Sequence, residues 1–195
     1  MKNLRFSFTV LVFITSFVFS AFFHPVQAID PIPISTPEEL NNIRNNLSGH
    51  YRLTADIDMG SFGNWVPIGT YTFGFSGILD GDGHTISNLT ISDSESDFIG
   101  LFGVIGPGGF VFDLQITNAV VDGDTYVSIC TGINQGSIER VATHGVIRGN
   151  MRVGGLVGYN EKTISNSYAI TSVTGNINLG GLVGFSAGTI SNSYS

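Results

Sequence analysis

The chain is short of basic residues, of charge in general and of cysteine. Its 195 residues hold 8 Lys and Arg against 15 Asp and Glu, and its formal net charge is −7. This balance argues against nucleic acid as a partner, because phosphate contacts need a basic face. The single cysteine, Cys130, cannot form an internal disulfide. It lies in the apolar run 127–130, so we expect it to fill space in the core.

Glycine and apolar residues are abundant instead. The chain contains 26 Gly, and 42% of its residues are hydrophobic. A disordered chain would be more charged and poorer in apolar side chains. Glycine combined with short apolar runs is typical of many short strands joined by tight turns, so the composition predicts an all-β protein.

The first 28 residues have the layout of a secretory signal. Lys2 and Arg5 form a positive start, residues 6–23 are almost wholly apolar, and small residues precede an expected cleavage after Ala28. An uncleaved membrane anchor is the alternative. No second apolar run of spanning length follows, so we expect no membrane span after signal removal. Export without disulfides is common among bacterial surface proteins, which favours a secreted or cell-surface location.

A repeat of 26 residues decides the fold class. Residues 153–159 (VGGLVGY) recur as residues 179–185 (LGGLVGF), and residues 164–168 (ISNSY) recur as residues 190–194. The units contain no helical period, only short apolar runs separated by Gly, Asn and Asp. One such unit cannot bury its apolar side, whereas stacked units share a continuous core. The repeat therefore predicts a parallel β-helix, a solenoid, with about 26 residues in each coil.

Two columns of residues can be followed through the repeats. An aliphatic column should point inward, and a polar column two residues further on should form a corner, where Asn tolerates left-handed backbone. The aliphatic column is Ile86, Val111, Ile138, Ile164 and Ile190. The polar column is Asn88, Asp113, Arg140, Asn166 and Asn192, of which Arg140 should point to solvent.

A short helix should cap the first coil, within an N-terminal cap that we place at residues 29–76. Thr36 suits the N-cap, Pro37 the first helical position and Glu39 a capping box, so a helix is predicted at about 37–47. Residues 51–57 alternate apolar and polar, as a half-buried strand does.

The β-helix itself should occupy residues 77–195 and be incomplete at its C-terminal end. In the previous coil, residues 169–175 add a strand and a turn that have no counterpart after Ser195. We therefore expect a fragment of a longer repeat protein. Its open last coil should fray or associate end to end with another copy, since it presents unpaired backbone.

The repeats resemble the GLUG motif of bacterial secreted and surface proteins. The residues that carry the resemblance are Gly155, Leu156, Val157, Gly158, Gly181, Leu182, Val183 and Gly184. Residues 37–40 (PEEL), 51–58 (YRLTADID) and 75–86 (FSGILDGDGHTI) are similar to the segment that often precedes GLUG units. Residues 100–103 (GLFG) and 131–132 (TG) depart from the motif.

This resemblance implies a right-handed parallel β-helix and an exported bacterial protein. Such units occur in adhesin-like proteins and in the non-catalytic parts of immunoglobulin-A-cleaving metallopeptidases. The resemblance supplies no catalytic residue and implies no cofactor.

Three local patterns could carry chemistry. Residues 80–84 (DGDGH) place Asp80 and Asp82 where they could hold a hard cation such as Ca²⁺. The alternative is a Gly-rich turn, since a calcium loop needs further ligands. Residues 184–188 (GFSAG) match the serine-hydrolase pattern around Ser186, but no Asp, Glu or His follows, so we expect a repeat turn. Trp65 could be a sugar-stacking platform or part of the cap packing.

Together these features predict an exported bacterial surface or extracellular module with a structural or adhesive role and no catalysis of its own. One alternative is a polysaccharide-active β-helix enzyme, which would need Asp, Arg or Lys clustered in an outer groove. Another is the non-catalytic N-terminal part of a larger secreted protease. The partner class, a host or cell-surface protein or a glycan, stays open at this point.

Overall fold

The structure of the protein, a computed structural model, describes residues 30–195. Parallel strands wind into a β-solenoid of about five turns, with one short α-helix in the described part of the chain. The predicted secretory signal and its cleavage site at Ala28 lie outside the described residues. Within residues 30–195, no helix has both the length and the apolar character needed to cross a membrane.

The described residues form one α-helix, one 3₁₀ helix and eighteen strands. The helices are α1 (Pro37–Asn41) and the 3₁₀ helix Asn42–Asn45. The strands are β1 (Ile32–Ile34), β2 (His50–Leu53), β3 (Ile57–Asp58), β4 (Ile78–Asp80), β5 (Thr85–Ser87), β6 (Thr90–Ser92), β7 (Phe102–Ile105), β8 (Phe110–Asp122), β9 (Thr125–Val127), β10 (Thr131–Asn134), β11 (Ser137–Arg148), β12 (Met151–Gly154), β13 (Val157–Asn160), β14 (Thr163–Ser165), β15 (Tyr168–Thr174), β16 (Ile177–Gly180), β17 (Val183–Ser186) and β18 (Thr189–Ser191).

Three parallel sheets run along the solenoid. The long sheet has eleven strands, and its main path is β1-β2-β4-β8-β11-β14-β18. Two smaller sheets have the orders β7-β10-β13-β17 and β9-β12-β16. Each later coil passes once through every sheet, so equivalent residues of successive coils pair side by side. This arrangement confirms the predicted all-β solenoid.

The aliphatic column forms as predicted from its second member onward. Val111, Ile138 and Ile164 are paired in register and fully buried, and Ile190 pairs with Ile164. The assignment of Ile86 to this column is wrong. Val111 pairs instead with Leu79, whereas Ile86 pairs with Ile57 and Ile116. The first coils contain an additional turn at residues 81–84. Counting back by a constant number of residues therefore reaches the wrong strand in these coils.

The polar column has left-handed backbone, which confirms it as a corner. The φ angles are 53° at Asp113, 51° at Arg140, 50° at Asn166 and 48° at Asn192. Arg140 is half exposed, and its guanidinium also binds the Asp113 carboxylate one coil earlier, with Nη2 3.0 Å from Oδ2. A charge pair therefore replaces the stacked amides at this position.

Asn88 belongs to a different corner from the one we assigned. It is left-handed, with φ 59°, but it follows Ser87, which pairs with Thr117. Its neighbour is therefore Asn118, a second left-handed residue at the point where the β8–β11 register shifts. The prediction of left-handed backbone at Asn88 is confirmed, and its placement beside Asp113 is wrong.

The predicted N-terminal helix begins at Pro37 as expected but is shorter than the predicted 37–47, because the α-helix ends at Asn41 and a 3₁₀ helix continues only to Asn45. The Thr36 hydroxyl accepts a hydrogen bond from the Glu39 amide at 3.2 Å, as an N-cap does. The Glu39 carboxylate accepts from the amide of Ser35 at 2.7 Å, which satisfies a second free donor at this end. Leu40 and Ile43 are fully buried and attach the helix to the core.

Candidate functional site

The repeat motif forms a turn that folds into the solenoid rather than around it. Between β12 and β13 the chain turns at Gly155 and Leu156, and Leu156 is fully buried. The Gly155 carbonyl oxygen accepts a hydrogen bond from the buried Thr143 hydroxyl at 3.1 Å. Because Thr143 lies in the middle of β11, the turn reaches across to the long sheet. We call residues 153–158 of this coil, with their counterparts in other coils, the inner arch.

Glycine is required in the inner arch because β12 and β13 approach backbone to backbone. A Cβ atom on Gly158 in β13 would lie 2.9 Å from the Arg152 carbonyl oxygen in β12 and 2.7 Å from the Tyr126 carbonyl carbon in β9. A Cβ atom on Gly155 would overlap the Gly181 carbonyl oxygen. The motif glycines therefore have a packing role, which explains their recurrence at a spacing of one coil.

The inner arch extends to the units that depart from the motif. Val157 pairs with Thr131, and Thr131 pairs with Phe102. Cys130 takes the position equivalent to Leu156 and is fully buried, as predicted. The inner arch is therefore kept in coils whose residues differ from the motif, because the side chains at the paired positions are still buried.

A ladder of polar side chains lies inside the coils next to the arch. Asn134 and Asn160 are fully buried, and Nδ2 of Asn134 donates to Oδ1 of Asn160 at 2.8 Å. Nδ2 of Asn160 donates to Oγ of Ser186 at 3.2 Å. Ser186 is thus the last rung of a structural ladder. It lies at the end of β17, and the next described element is the strand β18, so the strand–turn–helix elbow of a serine hydrolase is not formed.

The carboxylate of Asp80 is already engaged by neighbouring groups. Asp80 is buried, with Oδ2 2.8 Å from both Nε and Nη2 of Arg52, and its Oδ1 accepts from the Asp82 amide at 2.9 Å. Asp82 is exposed, with a φ angle of 48°. Among residues 30–195, no three potential metal-ligating side chains cluster together. A cation site at Asp80 and Asp82 stays a prediction, and the visible role of Asp80 is to hold the turn.

A second acidic group near this turn has a perturbed ionisation. Hydrogen bonds from the Thr85 amide and then from His84 lower the pKa of Asp56 below its usual value. His84 Nδ1 lies 3.1 Å from Asp56 Oδ1, and the aspartate side chain is 75% exposed. This pair is open to solvent and forms no enclosed cleft for acid–base chemistry.

Trp65 belongs to the core. It is 1% exposed, and its Nε1 donates to the Leu101 carbonyl oxygen at 3.0 Å. Of the two interpretations, packing of the N-terminal coils is the correct one, because a buried ring has no face free for a sugar.

The sequence reasoning missed a row of aromatic rings at the open side of the inner arch. Tyr71 stacks on Phe98 at 5.7 Å, and Phe98 stacks on Tyr126 at 5.1 Å. Tyr126 lies 6.1 Å from Tyr159, and Tyr159 lies 5.5 Å from Phe185. We call these five rings the aromatic row.

Arg152 lies inside the aromatic row, against three of its rings. The guanidinium carbon is 4.9 Å from the centre of the Tyr126 ring, 5.4 Å from Tyr159 and 5.6 Å from Phe185. The 26-residue offset between Tyr126 and Arg152 was the available sequence signal. This spacing was missed because Arg and Tyr differ in charge and chemical type, although both side chains end in a planar group.

Comparison with known proteins identifies the repeat. Residues 149–174 match the family described as the GLUG motif. In the structure this segment runs from the corner after β11 through β12, the inner arch, β13 and β14 to the end of β15, which is one complete coil.

Two relatives and one solved structure are similar over longer stretches. A protein of Evansella cellulosilytica described as a Gly-rich membrane protein is 33% identical in an alignment of 166 residues that covers 73% of this chain and 19% of that protein. Halomucin of Haloquadratum walsbyi is 37% identical in an alignment of 127 residues that covers 58% of this chain and 1% of that protein. The crystal structure of a chain from Bacteroides ovatus described as an immunoglobulin A1 protease has 18% identity and a TM-score of 0.48, with 84% of this chain and 74% of that chain covered.

This chain spans less than a fifth of the length of either relative. The family match falls on the coil that contains Gly155 and Gly158. Residues 149–174 of this chain are therefore a GLUG unit, and the motif within it is the inner arch of a parallel β-solenoid.

Proposed function

We propose that this chain is a non-catalytic structural module of a protein outside the cell, a stiff spacer with an adhesive surface. The observation that carries the proposal is the unbroken main path of the long sheet from β1 to β18. In such a fold each coil adds about 4.8 Å of length without changing the cross-section. The number of coils then sets how far the module reaches.

The inter-coil contacts support a stiff module. Successive coils are joined by backbone ladders in three sheets and by the buried Asn134–Asn160 pair. The outer corners are joined as well, since the Asn176 carboxamide donates to Asn150 at 3.0 Å. Bending the solenoid would separate these groups on one side, and each buried group left unpaired would cost about 1–3 kcal/mol.

The extracellular location is supported by the relatives and by composition. One relative is described as a Gly-rich membrane protein and the other as halomucin. The low count of Lys and Arg and the net charge of −7 are compatible with an exposed, soluble surface. The predicted secretory signal at residues 1–28 supports the same location from the sequence alone.

The spacer role can be tested by changing the number of coils. Inserting two more copies of residues 149–174 after Thr174 should lengthen the particle by about 10 Å at a constant cross-section, measured by small-angle X-ray scattering. The matched control inserts two copies of residues 149–161, half a coil each, and should fail to give a cooperative unfolding transition. A larger cross-section in the first variant would contradict the proposal.

Location and catalysis need separate experiments. An epitope placed in the exposed turn at Pro107 and Gly108 should be reached by antibody on intact cells of the expressing organism.

The competing enzyme function predicts polysaccharide cleavage that is lost in Asp80→Asn. Such cleavage would replace the spacer proposal with a catalytic one, whereas its absence across a panel of acidic and neutral polysaccharides supports it.

A further inference from the structure

An early coil of the solenoid contains an inserted loop where the later coils have a plain strand. Ile68 pairs with Phe102, and Phe75 pairs with Ile105. Two residues lie between Phe102 and Ile105, whereas six lie between Ile68 and Phe75, so the earlier coil holds four extra residues. We call residues 69–74 the inserted loop. In repeat folds such insertions project from the regular surface and often form the binding face.

The inserted loop holds two aromatic rings in solvent. Tyr71 is 63% exposed and Phe73 is 71% exposed, although the flanking Ile68 and Phe75 are fully buried. The loop is also closed on itself. The amide of Thr70 donates to the Phe73 carbonyl oxygen at 2.9 Å, and the Thr70 hydroxyl accepts from the Phe73 amide at 3.2 Å. The two rings are therefore presented by a loop that is fixed at both ends.

Neighbouring segments flank the inserted loop on both sides. The Ser76 amide donates to the Leu47 carbonyl oxygen on the preceding side at 2.8 Å, and the Gly106 amide of the following coil donates to the Phe75 carbonyl oxygen at 2.8 Å. The exposure of the two rings therefore does not depend on where the sequence ends. An exposed ring gives up the stabilisation that its burial would provide. Exposed apolar groups held in one place mark a contact with another molecule.

Both rings line a groove of about 410 Å³ that adjoins a second groove of about 620 Å³. The two grooves share Pro107 and Gln135. The second lies over the outer face of the long sheet, where Phe110, Ser137 and Thr163 pair side by side in successive coils. The combined groove therefore runs across the strands, along the axis of the solenoid.

The combined groove has no net charge. Among residues 30–195, those that line it include one acidic and one basic side chain, Glu139 and Lys162. The other polar side chains of the lining are hydroxyls and the Gln135 carboxamide, which donates to the Glu161 carboxylate at 3.1 Å and is held by it. On a chain with a net charge of −7, such a lining suits a neutral ligand with many hydroxyl groups.

The strands under the groove present no free edge to a peptide. Within the described part of the chain, β8 is paired with β4 and β11, and β11 is paired with β8 and β14. An extended peptide that adds to a sheet needs an unpaired strand edge for its backbone hydrogen bonds. Recognition in this groove depends instead on hydroxyls, an amide and aromatic faces. These groups suit a sugar, because its C–H face packs on a ring while its hydroxyls form hydrogen bonds.

From this arrangement we infer that the groove from Tyr71 and Phe73 to Thr163 binds a neutral, unbranched saccharide chain. Adjacent strands are about 4.8 Å apart. A β-1,4-linked hexose unit has nearly the same length, so successive sugars can meet equivalent positions in successive coils. The rings of the inserted loop pack against one end of the chain, and Phe110 lies further along. The inference names the partner of the proposed adhesive surface and rests on that part of the proposed function.

The test uses cellohexaose and mannohexaose as neutral probes and hexagalacturonate as a charged one. Titration calorimetry should show saturable binding of a neutral probe and weaker binding of the charged one. The double variant Tyr71→Ala, Phe73→Ala should weaken the binding at least about tenfold, because both stacking faces are lost. Gln135→Ala should weaken it about threefold or more. The matched control is Tyr194→Ala, which removes a ring that is 64% exposed outside the groove and should change the affinity by less than about twofold.

The contrary outcomes are distinct from one another. If neither neutral probe binds, the site is overturned, whereas the spacer role, which scattering measures, is unaffected. Equal binding of hexagalacturonate would remove the preference for a neutral chain. Unchanged binding by the double variant, with its fold checked by circular dichroism, would overturn the site, as would equal weakening in Tyr194→Ala. If the double variant does not fold, Gln135→Ala decides. Cleavage of a probe, followed by chromatography, would contradict the non-catalytic module instead.

Discussion

Asn134 and Asn160 occupy equivalent places in consecutive coils and are joined by a hydrogen bond of 2.8 Å between Nδ2 and Oδ1, with both side chains fully buried. Each carboxamide also serves its own coil. Oδ1 of Asn134 accepts from the Gly136 amide at 3.1 Å, and Nδ2 of Asn160 donates to the Lys162 carbonyl at 3.2 Å. The pair therefore stabilises the turn within each coil and the stacking between coils at once.

Asn160→Ala should lower the free energy of unfolding by about 2–4 kcal/mol, because it removes several buried hydrogen bonds and leaves partners unsatisfied. Denaturation in urea, followed by circular dichroism, measures the loss. The control is Asn176→Ala, which removes an exposed rung of the same chemistry and should cost less than about 1 kcal/mol. Equal losses in the two variants would mean that burial of the ladder does not matter.

Ser186→Asn should stabilise the last described coil. Ser186 takes the place that Asn134 and Asn160 have in earlier coils, and it accepts from Asn160 at 3.2 Å. An asparagine there can continue the ladder, and one added hydrogen bond contributes about 0.5–1.5 kcal/mol. Amide hydrogen exchange of residues 183–191 should slow in the variant. Faster exchange would indicate that the larger side chain does not fit.

Gly158→Ala should unfold or severely destabilise the protein, by about 3 kcal/mol or more, since its Cβ would press on backbone atoms that cannot move aside. Thermal unfolding measures the effect. Gly106→Ala is the matched control. A Cβ there would be no closer than 3.4 Å to its neighbours, so the change in stability should stay within about 1 kcal/mol. A well-folded Gly158→Ala variant would refute the close approach of β12 and β13.

Acid should weaken the corner at Asp113. The hydrogen bond from Arg140 holds the pKa of the Asp113 carboxyl below its usual value. A depressed folded pKa gives stability that is complete above the unfolded pKa, near about 4, and is lost as the pH falls through the folded pKa. The melting temperature of Asp113→Asn should therefore be lower than that of the parent at neutral pH, and the difference should shrink below about pH 4. Arg140→Gln should behave in the same way. A difference that does not depend on pH would exclude the ion pair as its cause.

Cys130 should be unreactive in the folded protein. Burial raises the pKa of its thiol to about 12, so almost no thiolate forms at pH 8. Iodoacetamide should label Cys130 only at the rate of unfolding and should label it rapidly in guanidinium chloride. Because the folded pKa is raised, stability is complete below about pH 8.5 and falls as the pH rises from there towards 12. Rapid labelling under native conditions would contradict the buried position.

Much of the architecture could be predicted from the sequence because a solenoid repeats its environments. Ile138, Ile164 and Ile190 occupy one kind of site, so the chain repeats one kind of residue there. Left-handed corners favour Asn for steric reasons that act within a single residue, which is why Asn166 and Asn192 were correctly placed. Regular spacing and local backbone preference were sufficient for these parts.

The errors have two different physical origins. Ile86 was assigned to the wrong ladder because strand register depends on the lengths of all turns before it, and residues 81–84 add one. The contact of Arg152 with the aromatic row was missed because Tyr126 precedes Arg152 by a full coil. Tyr159 lies in β13, on the other side of the inner arch from Arg152 in β12. Such contacts depend on how the strands stack, and the residues adjacent in the sequence do not reveal this stacking.

By itself, therefore, the sequence determined the period, the parallel stacking and the inward side of each later coil, since one 26-residue unit can bury its apolar residues only against copies of itself. The tertiary structure alone decided that the Gly155–Gly158 turn enters the solenoid and that Arg152 is enclosed by three rings. Both depend on backbone approach between strands of different sheets. That approach is decided by the packing of the whole coil and not by the preferences of its residues.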